Sequence, residues 1–165
     1  MVGHPRVRLF DKKALKEELM SQLRATLDRS RAAHAAATEG ATHSEARPEN
    51  DKDTRGLELS YLARGQAQRV AELQIVLGAV SEMRLRPFLR TDAISVGALV
   101  RVEEDGSIQD LLFAEHGGGV VLSGDVHVVT PNSPLGRALL GRQEGDEVEV
   151  RLPGRVRVLS VSSIS

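Results

Sequence analysis

Leu15, Leu19, Leu23 and Leu27 recur at every fourth position, so a helix begun near Lys12 would carry one apolar stripe. Lys16, Glu17, Arg24 and Asp28 are distributed around the rest of that helix, and Asp11 is placed to cap its first turn. Beyond Leu27 the stripe shrinks to alanine at Ala32, Ala33, Ala35, Ala36 and Ala37, which keeps helix propensity high and lets a partner helix come close. A second helical pattern follows, with Leu59, Leu62, Gln66, Arg69, Leu73, Val76 and Val80 alternating three and four apart. This heptad seam has two polar interruptions, and Gly56 and Gly65 weaken its first turns. It should stop before Pro87, because the residue ahead of proline is biased away from helix. The pattern predicts an antiparallel helical hairpin over residues 1–83, formed within a monomer, with pairing to a second chain as the alternative.

From Ser95 the period changes to alternation. Ala98–Val102, Ile108–Phe113, Val120–Leu122, Val126–Val129, Val148–Leu152 and Val156–Val161 are short and β-branched, with turn residues between them. Asp105-Gly106 suits a hairpin turn that needs positive φ angles. His116-Gly117-Gly118-Gly119 is expected to form a glycine-rich hairpin turn. A short helix should interrupt the strands at Ser133–Gly141, with Ser133 as N-cap, Pro134 in the first position, Gly141 as stop, and Leu135, Leu139 and Leu140 packed on the sheet. The fold class is therefore α+β: a hairpin, a connector at 84–94, and a small β domain at 95–165.

Between the helices lies a polar stretch, Glu39 to Glu58, broken by Gly40, Pro48 and Gly56 and dense in carboxylates at Glu45, Glu49, Asp51 and Asp53. It reads as a loop at the far end of the hairpin, either simply solvated or presenting its carboxylates to a partner.

Composition narrows the function. Lys and Arg number 22 against 23 Asp and Glu, leaving a net charge of −1, and aromatic residues make up only 2%. That disfavours a protein held to nucleic acid by phosphate contacts or by base stacking. Cys is absent, which excludes thiolate and disulfide chemistry and fits a reducing cytosol. No apolar run is long enough for a signal peptide or a membrane span, so a cytoplasmic protein is expected. The histidines His4, His34, His43, His116 and His127 show no metal-ligand spacing, and no phosphate-binding loop or nucleophile elbow occurs.

One segment is different in kind. Ser133-Pro134-Leu135-Gly136-Arg137-Ala138-Leu139-Leu140-Gly141-Arg142, followed by Gly145-Asp146, a strand pattern and Pro153-Gly154-Arg155, resembles the C-terminal domain of the bacterial GreA/GreB transcript cleavage factors. The hairpin ahead of it matches that family's N-terminal coiled coil in length and order. The resemblance implies an FKBP-like β domain that binds RNA polymerase, with Ser133, Pro134, Leu135 and Arg137 as contact residues. It also implies a coiled coil inserted into the secondary channel, whose acidic tip reaches the RNA 3′ end only through the polymerase. Tip carboxylates in such proteins help hold a second Mg²⁺ in the polymerase active centre, where backtracked RNA is hydrolysed. Two-metal hydrolysis of this kind needs hard oxygen ligands.

The family's usual tip string, Gly-Asp-Leu-Lys-Glu-Asn-Ala-Glu-Tyr, is missing here. Alignment on Gln68-Arg69-Val70 brings the family's acidic positions near Asn50/Asp51 and at Asp53, whereas alignment on Glu49-Asn50 brings them to Ala46 beside Glu45 and to Glu49. Asp51 and Asp53, supported by Glu49, are the expected catalytic and metal-facing residues, acting only inside the polymerase. The alternative is a non-catalytic channel regulator or inhibitor that shares the anchor. A prolyl isomerase or chaperone is disfavoured because Phe10, Tyr61, Phe88 and Phe113 are the only aromatics and suggest no aromatic-lined pocket.

Overall fold

The computed structural model describes residues 9–45 and 54–165 and confirms the α+β class, with long N-terminal helices followed by a mixed sheet. The chain divides into two compact units, one of Met20–Ser81 and one of Met1–Leu19 with Glu82–Ser165.

The chain's two long helices are α1 (Lys12–Glu45) and α2 (Thr54–Glu82), and the helical unit takes α1 from Met20 onward and α2 as far as Ser81. Asp11 caps α1 as its sequence position requires, its carboxylate accepting the Lys13 amide at 2.9 Å. The leucine stripe is buried throughout, from Leu15 to Leu27, and continues as Ala37 and Ala41. Lys16 reaching the Met83 carbonyl, and Gly40 lying against Leu59 further along, fix the two helices as antiparallel.

Helix consumes both flanks of the expected loop at 39–58. Residues 39–45 complete α1, residues 54–58 begin α2, and Ala41 and Gly56 are buried. Gly40 explains why a glycine is tolerated there, since a Cβ on it would stand 3.1 Å from Leu59 Cδ1. Close packing at that point offsets the roughly 1 kcal/mol that glycine costs a helix.

The heptad reading of α2 is only partly right. Leu73 and Val80 are buried, but Leu62 and Arg69 are exposed, as are Leu57 and Tyr61. Against an alanine-lined stretch of α1 the contact seam is narrow, so a full stripe of large residues has nothing to cover it.

The second unit contains β1 (Leu99–Glu104), β2 (Ser107–Phe113), β3 (Val121–Leu122), β4 (Val126–Val129), α3 (Pro134–Leu139), β5 (Glu147–Leu152) and β6 (Arg155–Ile164). They form one sheet in the order β3-β4-β2-β1-β6-β5. The β1–β2 hairpin turns at Asp105 and Gly106, with φ of 50° and 78°. The glycine run at 117–119 does turn the chain, but it does not close a hairpin between neighbours. β2 pairs with β4 in parallel, and β3 pairs only with β4, so the run lies in a crossover connection. Alternation identifies strands but does not order them in a sheet.

Alternation also divides the sheet into two faces. Val100, Val102, Leu111, Phe113, Val148, Val150, Leu159 and Val161 pack with Leu139 of α3 in the main core. Each such fully buried side chain contributes about 1.5–3 kcal/mol. On the opposite face Leu99, Leu112, Val126 and Val128 are also buried. The first turns of α1 belong to this unit: Leu19 lies against Gly117, and the Glu18 carboxylate accepts the Ser123 amide at 3.0 Å. Two arginine–carboxylate pairs lie on the sheet, Arg101 with Asp110 and Arg157 with Glu104. Hydrogen bonding from Arg157 holds the Glu104 carboxyl below its usual range.

Candidate functional site

Ser133 to Arg142 is the part of the β domain where sequence and geometry are most tightly coupled. Ser133 adopts an extended backbone and caps α3, its Oγ accepting the Gly136 amide at 2.9 Å and donating to the Thr130 carbonyl at 2.9 Å. Pro134 follows in the first turn, where its missing N–H costs nothing. Gly136 is buried so close to Thr130 that a Cβ there would lie 1.9 Å from the Thr130 carbonyl oxygen.

The far end of α3 is held as firmly. Gly141, at φ 79°, donates its amide to the Ile94 carbonyl at 2.9 Å, and Ile94 donates in return to the Arg142 carbonyl at 2.8 Å. Gln143 adds a side-chain bond to the Thr91 carbonyl at 2.7 Å, and Arg90 pairs with Glu144. A single helical turn would fray in water, so these fixings are what give it a defined surface.

Of the contact residues expected from sequence, the structure brings Ser133, Pro134, Leu135 and Arg137 together on this turn but gives them different tasks. Ser133 is occupied as the cap, and Leu135 is half-buried against the core beside Ala138. Pro134 and Arg137 are exposed. The Arg137 guanidinium has no hydrogen-bond or ion-pair partner among the described residues. Leu140 departs from expectation, for it is 43% exposed while Leu139 is fully buried. Its position one residue past the end of a six-residue helix turns it away from the sheet. Sequence reasoning missed it because both leucines look equally apolar. The outward surface is therefore Pro134, Arg137 and Leu140, an unpaired cation beside an exposed aliphatic side chain.

Replacing Ser133 by Ala should cost about 1–2 kcal/mol, because it removes the cap and leaves the Gly136 amide unpaired. Thermal melting would show this as a lowered transition, with Ser133→Thr recovering most of the loss.

Asp51, Asp53 and Glu49 lie outside the described residues. Among the described residues no group of three or more His, Asp or Glu side chains converges on a point where a metal ion could be held.

Among known proteins, residues 121–165 match the family described as "Transcription elongation factor, GreA/GreB, C-term". This C-terminal stretch is similar to the GreA/GreB C-terminal domain. Curated relatives agree. The transcription elongation factor GreA of Nautilia profundicola is 48% identical over 40 residues, covering 24% of this chain and 25% of that protein. GreA of a Jannaschia species is 31% identical over 100 residues, covering 59% and 60%. The chain thus matches between a quarter and about three fifths of the length of these relatives. Among solved structures, Thermus aquaticus Gfh1 is similar at 23% identity and a TM-score of 0.40, covering 92% of this chain and 94% of that one. The whole of α3 and its outward surface falls inside the GreA/GreB match.

Proposed function

We propose that this protein is a transcription elongation factor that binds bacterial RNA polymerase at the secondary channel and stimulates cleavage of backtracked RNA. The observation that carries the reading is the GreA/GreB domain with an unpaired Arg137 and an exposed Leu140 on a turn clamped at both ends. Such a pair suits a partner surface offering a carboxylate next to an apolar patch, because a preorganised guanidinium loses little freedom on binding. The antiparallel helices would present residues 46–53 to the active centre. In this reading the protein is an accessory factor and the polymerase performs the hydrolysis.

A magnesium ion shared with the polymerase would supply the charge that activates water for phosphodiester hydrolysis. The donor set fits that ion: Glu49, Asp51 and Asp53 offer only hard carboxylate oxygens, with no competing thiolate in the chain. Their task is to add negative charge and oxygen ligands at the tip. Few carboxylates alone hold Mg²⁺ weakly, so the free protein is not expected to retain it.

The test is a stalled, backtracked polymerase incubated with the protein and Mg²⁺. Shortened RNA with a new 3′ end supports the reading; binding that slows nucleotide addition without cleavage replaces it with an inhibitory regulator. Arg137→Glu should weaken polymerase binding by about tenfold or more, as reversal of a charge facing a carboxylate would. Its thermal stability should stay near that of the parent, since Arg137 has no partner among the described residues. Unchanged binding would remove Arg137 from the interface.

A further inference from the structure

Away from α3, on the other face of the sheet, a cleft of about 560 Å³ opens within the β-domain unit. Its volume is in the range of small-molecule sites. Phe10, Phe88 and Leu99 are among its apolar walls, and Lys12, Arg86 and Arg101 among its polar ones. The aromatic lining was not legible in the sequence, because Phe10 and Phe88 are brought together only by folding.

The cations of this cleft are held in place. Lys12 donates to the carbonyls of Arg86 and Gly97, the latter at 3.2 Å, and its ammonium sits 4.8 Å from the Phe88 ring centre. Arg86 stacks on the same ring at 3.8 Å and pairs with Asp92. Arg101 is bound on two of its three nitrogens, Nε and Nη2, by the Asp110 carboxylate at 2.8 and 3.0 Å. Its Nη1 has no partner among the described residues, and it is reached by solvent, since no side-chain nitrogen or oxygen among them is both buried and unpaired.

Two of the cleft's cations, Lys12 and Arg86, crowd the same Phe88 ring. Lys12, Lys13, Arg86 and Arg101 line the cleft against Asp11 and Asp110, and Asp92 outside it offsets Arg86. Burial, followed by the nearby Arg86 charge, pushes the Lys12 ammonium below its usual range, as expected where positive charge is crowded.

We propose that this cleft is a binding site for a small amphiphilic anion, with an apolar body between Phe10 and Leu99 and an acid group on Arg101 Nη1. The body accounts for the apolar walls, and the acid group for a solvent-reached guanidinium N–H that no described residue pairs. Neutral apolar compounds would leave that donor unmatched. A nucleotide is a poorer fit, because the Phe88 ring on which a base would stack is already engaged by Arg86 and Lys12. The inference does not depend on polymerase binding.

The full chain would be titrated with 8-anilinonaphthalene-1-sulfonate, following its fluorescence, and in parallel with N-phenyl-1-naphthylamine, which has the same rings without the sulfonate. Saturable one-site binding of the sulfonate is expected, with amide shifts in ¹⁵N spectra centred on Leu99, Arg101 and Ser163. The double variant Arg101→Gln, Asp110→Asn replaces the ion pair by two neutral amides and should weaken the sulfonate about tenfold. It should leave the neutral amine within about twofold. Arg86→Gln, at an exposed position, should weaken the sulfonate less but in the same sense, and it keeps the test valid if the double variant unfolds. Binding without saturation, amide shifts elsewhere, or equal effects on both dyes would overturn the proposal.

Discussion

Gly136→Ala is expected to be the most damaging small substitution in the β domain, although in an open helix the same change would stabilise by about 1 kcal/mol. The sign reverses because of Thr130. A methyl group on Gly136 would stand 1.9 Å from the Thr130 carbonyl oxygen, 2.8 Å from its carbon and 2.9 Å from Ser133 Oγ. Two of these are backbone atoms, so no rotamer change relieves the clash. Separation to ordinary contact would pull α3 off the preceding loop and break the bonds from the Ser133 amide and hydroxyl to the same carbonyl. A loss of about 3 kcal/mol or more follows from overpacking combined with broken hydrogen bonds. Gly78→Ala on α2 supplies the opposite control, since a Cβ there meets nothing within 4 Å and should stabilise by up to about 1 kcal/mol. Calorimetry suits the measurement, because the chain has no Trp and its one Tyr lies on α2. If Gly136→Ala melts like the parent, the tight contact with Thr130 is wrong.

The same segment shows what a sequence can and cannot convey. Ser133, Pro134 and Gly141 each act through their own backbone requirement, so cap, first turn and stop were readable one residue at a time. Asp105-Gly106 was readable for the same reason. Leu139 and Leu140 were not, because their difference lies in which way a helix end faces the sheet. Strand order was hidden as well. Nothing local in Asp110–Phe113 announces a parallel partner at Val126–Val129, which depends on a crossover passing through the glycine run. On α1, one leucine stripe proved to serve two units, with Leu15 and Leu19 buried in the sheet-containing unit and Leu23 and Leu27 in the helical one. A stripe records that a face is covered, but not by what. The cleft beneath Phe10 and Phe88 belongs to the same category, since its walls come from parts of the chain far apart in sequence. Conversely, the carboxylates between α1 and α2 were legible only as composition, and two alignments place them differently.

That ambiguity makes the tip variants the most informative functional experiment. Asp51→Asn and Asp53→Asn are expected to abolish Mg²⁺-dependent RNA cleavage while leaving polymerase binding intact. The amide keeps size and hydrogen bonding but removes the negative charge that a second divalent ion needs, and magnesium prefers anionic oxygen over a carboxamide. A loss of about a hundredfold or more in cleavage rate is reasonable for a ligand to a catalytic ion, being only about 3 kcal/mol of transition-state stabilisation. Binding should persist because the proposed contact at Arg137 lies in the β domain, away from these carboxylates in sequence. The defect should shrink as Mg²⁺ is raised if the carboxylate acts by attracting the ion, whereas a misfolded tip would not respond. Glu49→Gln should be milder in the alignment that makes Asp51 and Asp53 the principal pair. If instead both Asp variants cleave like the parent and Glu45→Gln with Glu49→Gln does not, the second alignment is correct and the carboxylates nearest α1 face the metal. Should the parent protein bind the channel and slow nucleotide addition without cutting RNA, the tip acts by occupying the active centre. Then charge removal at Asp51 and Asp53 would change inhibition instead of cleavage.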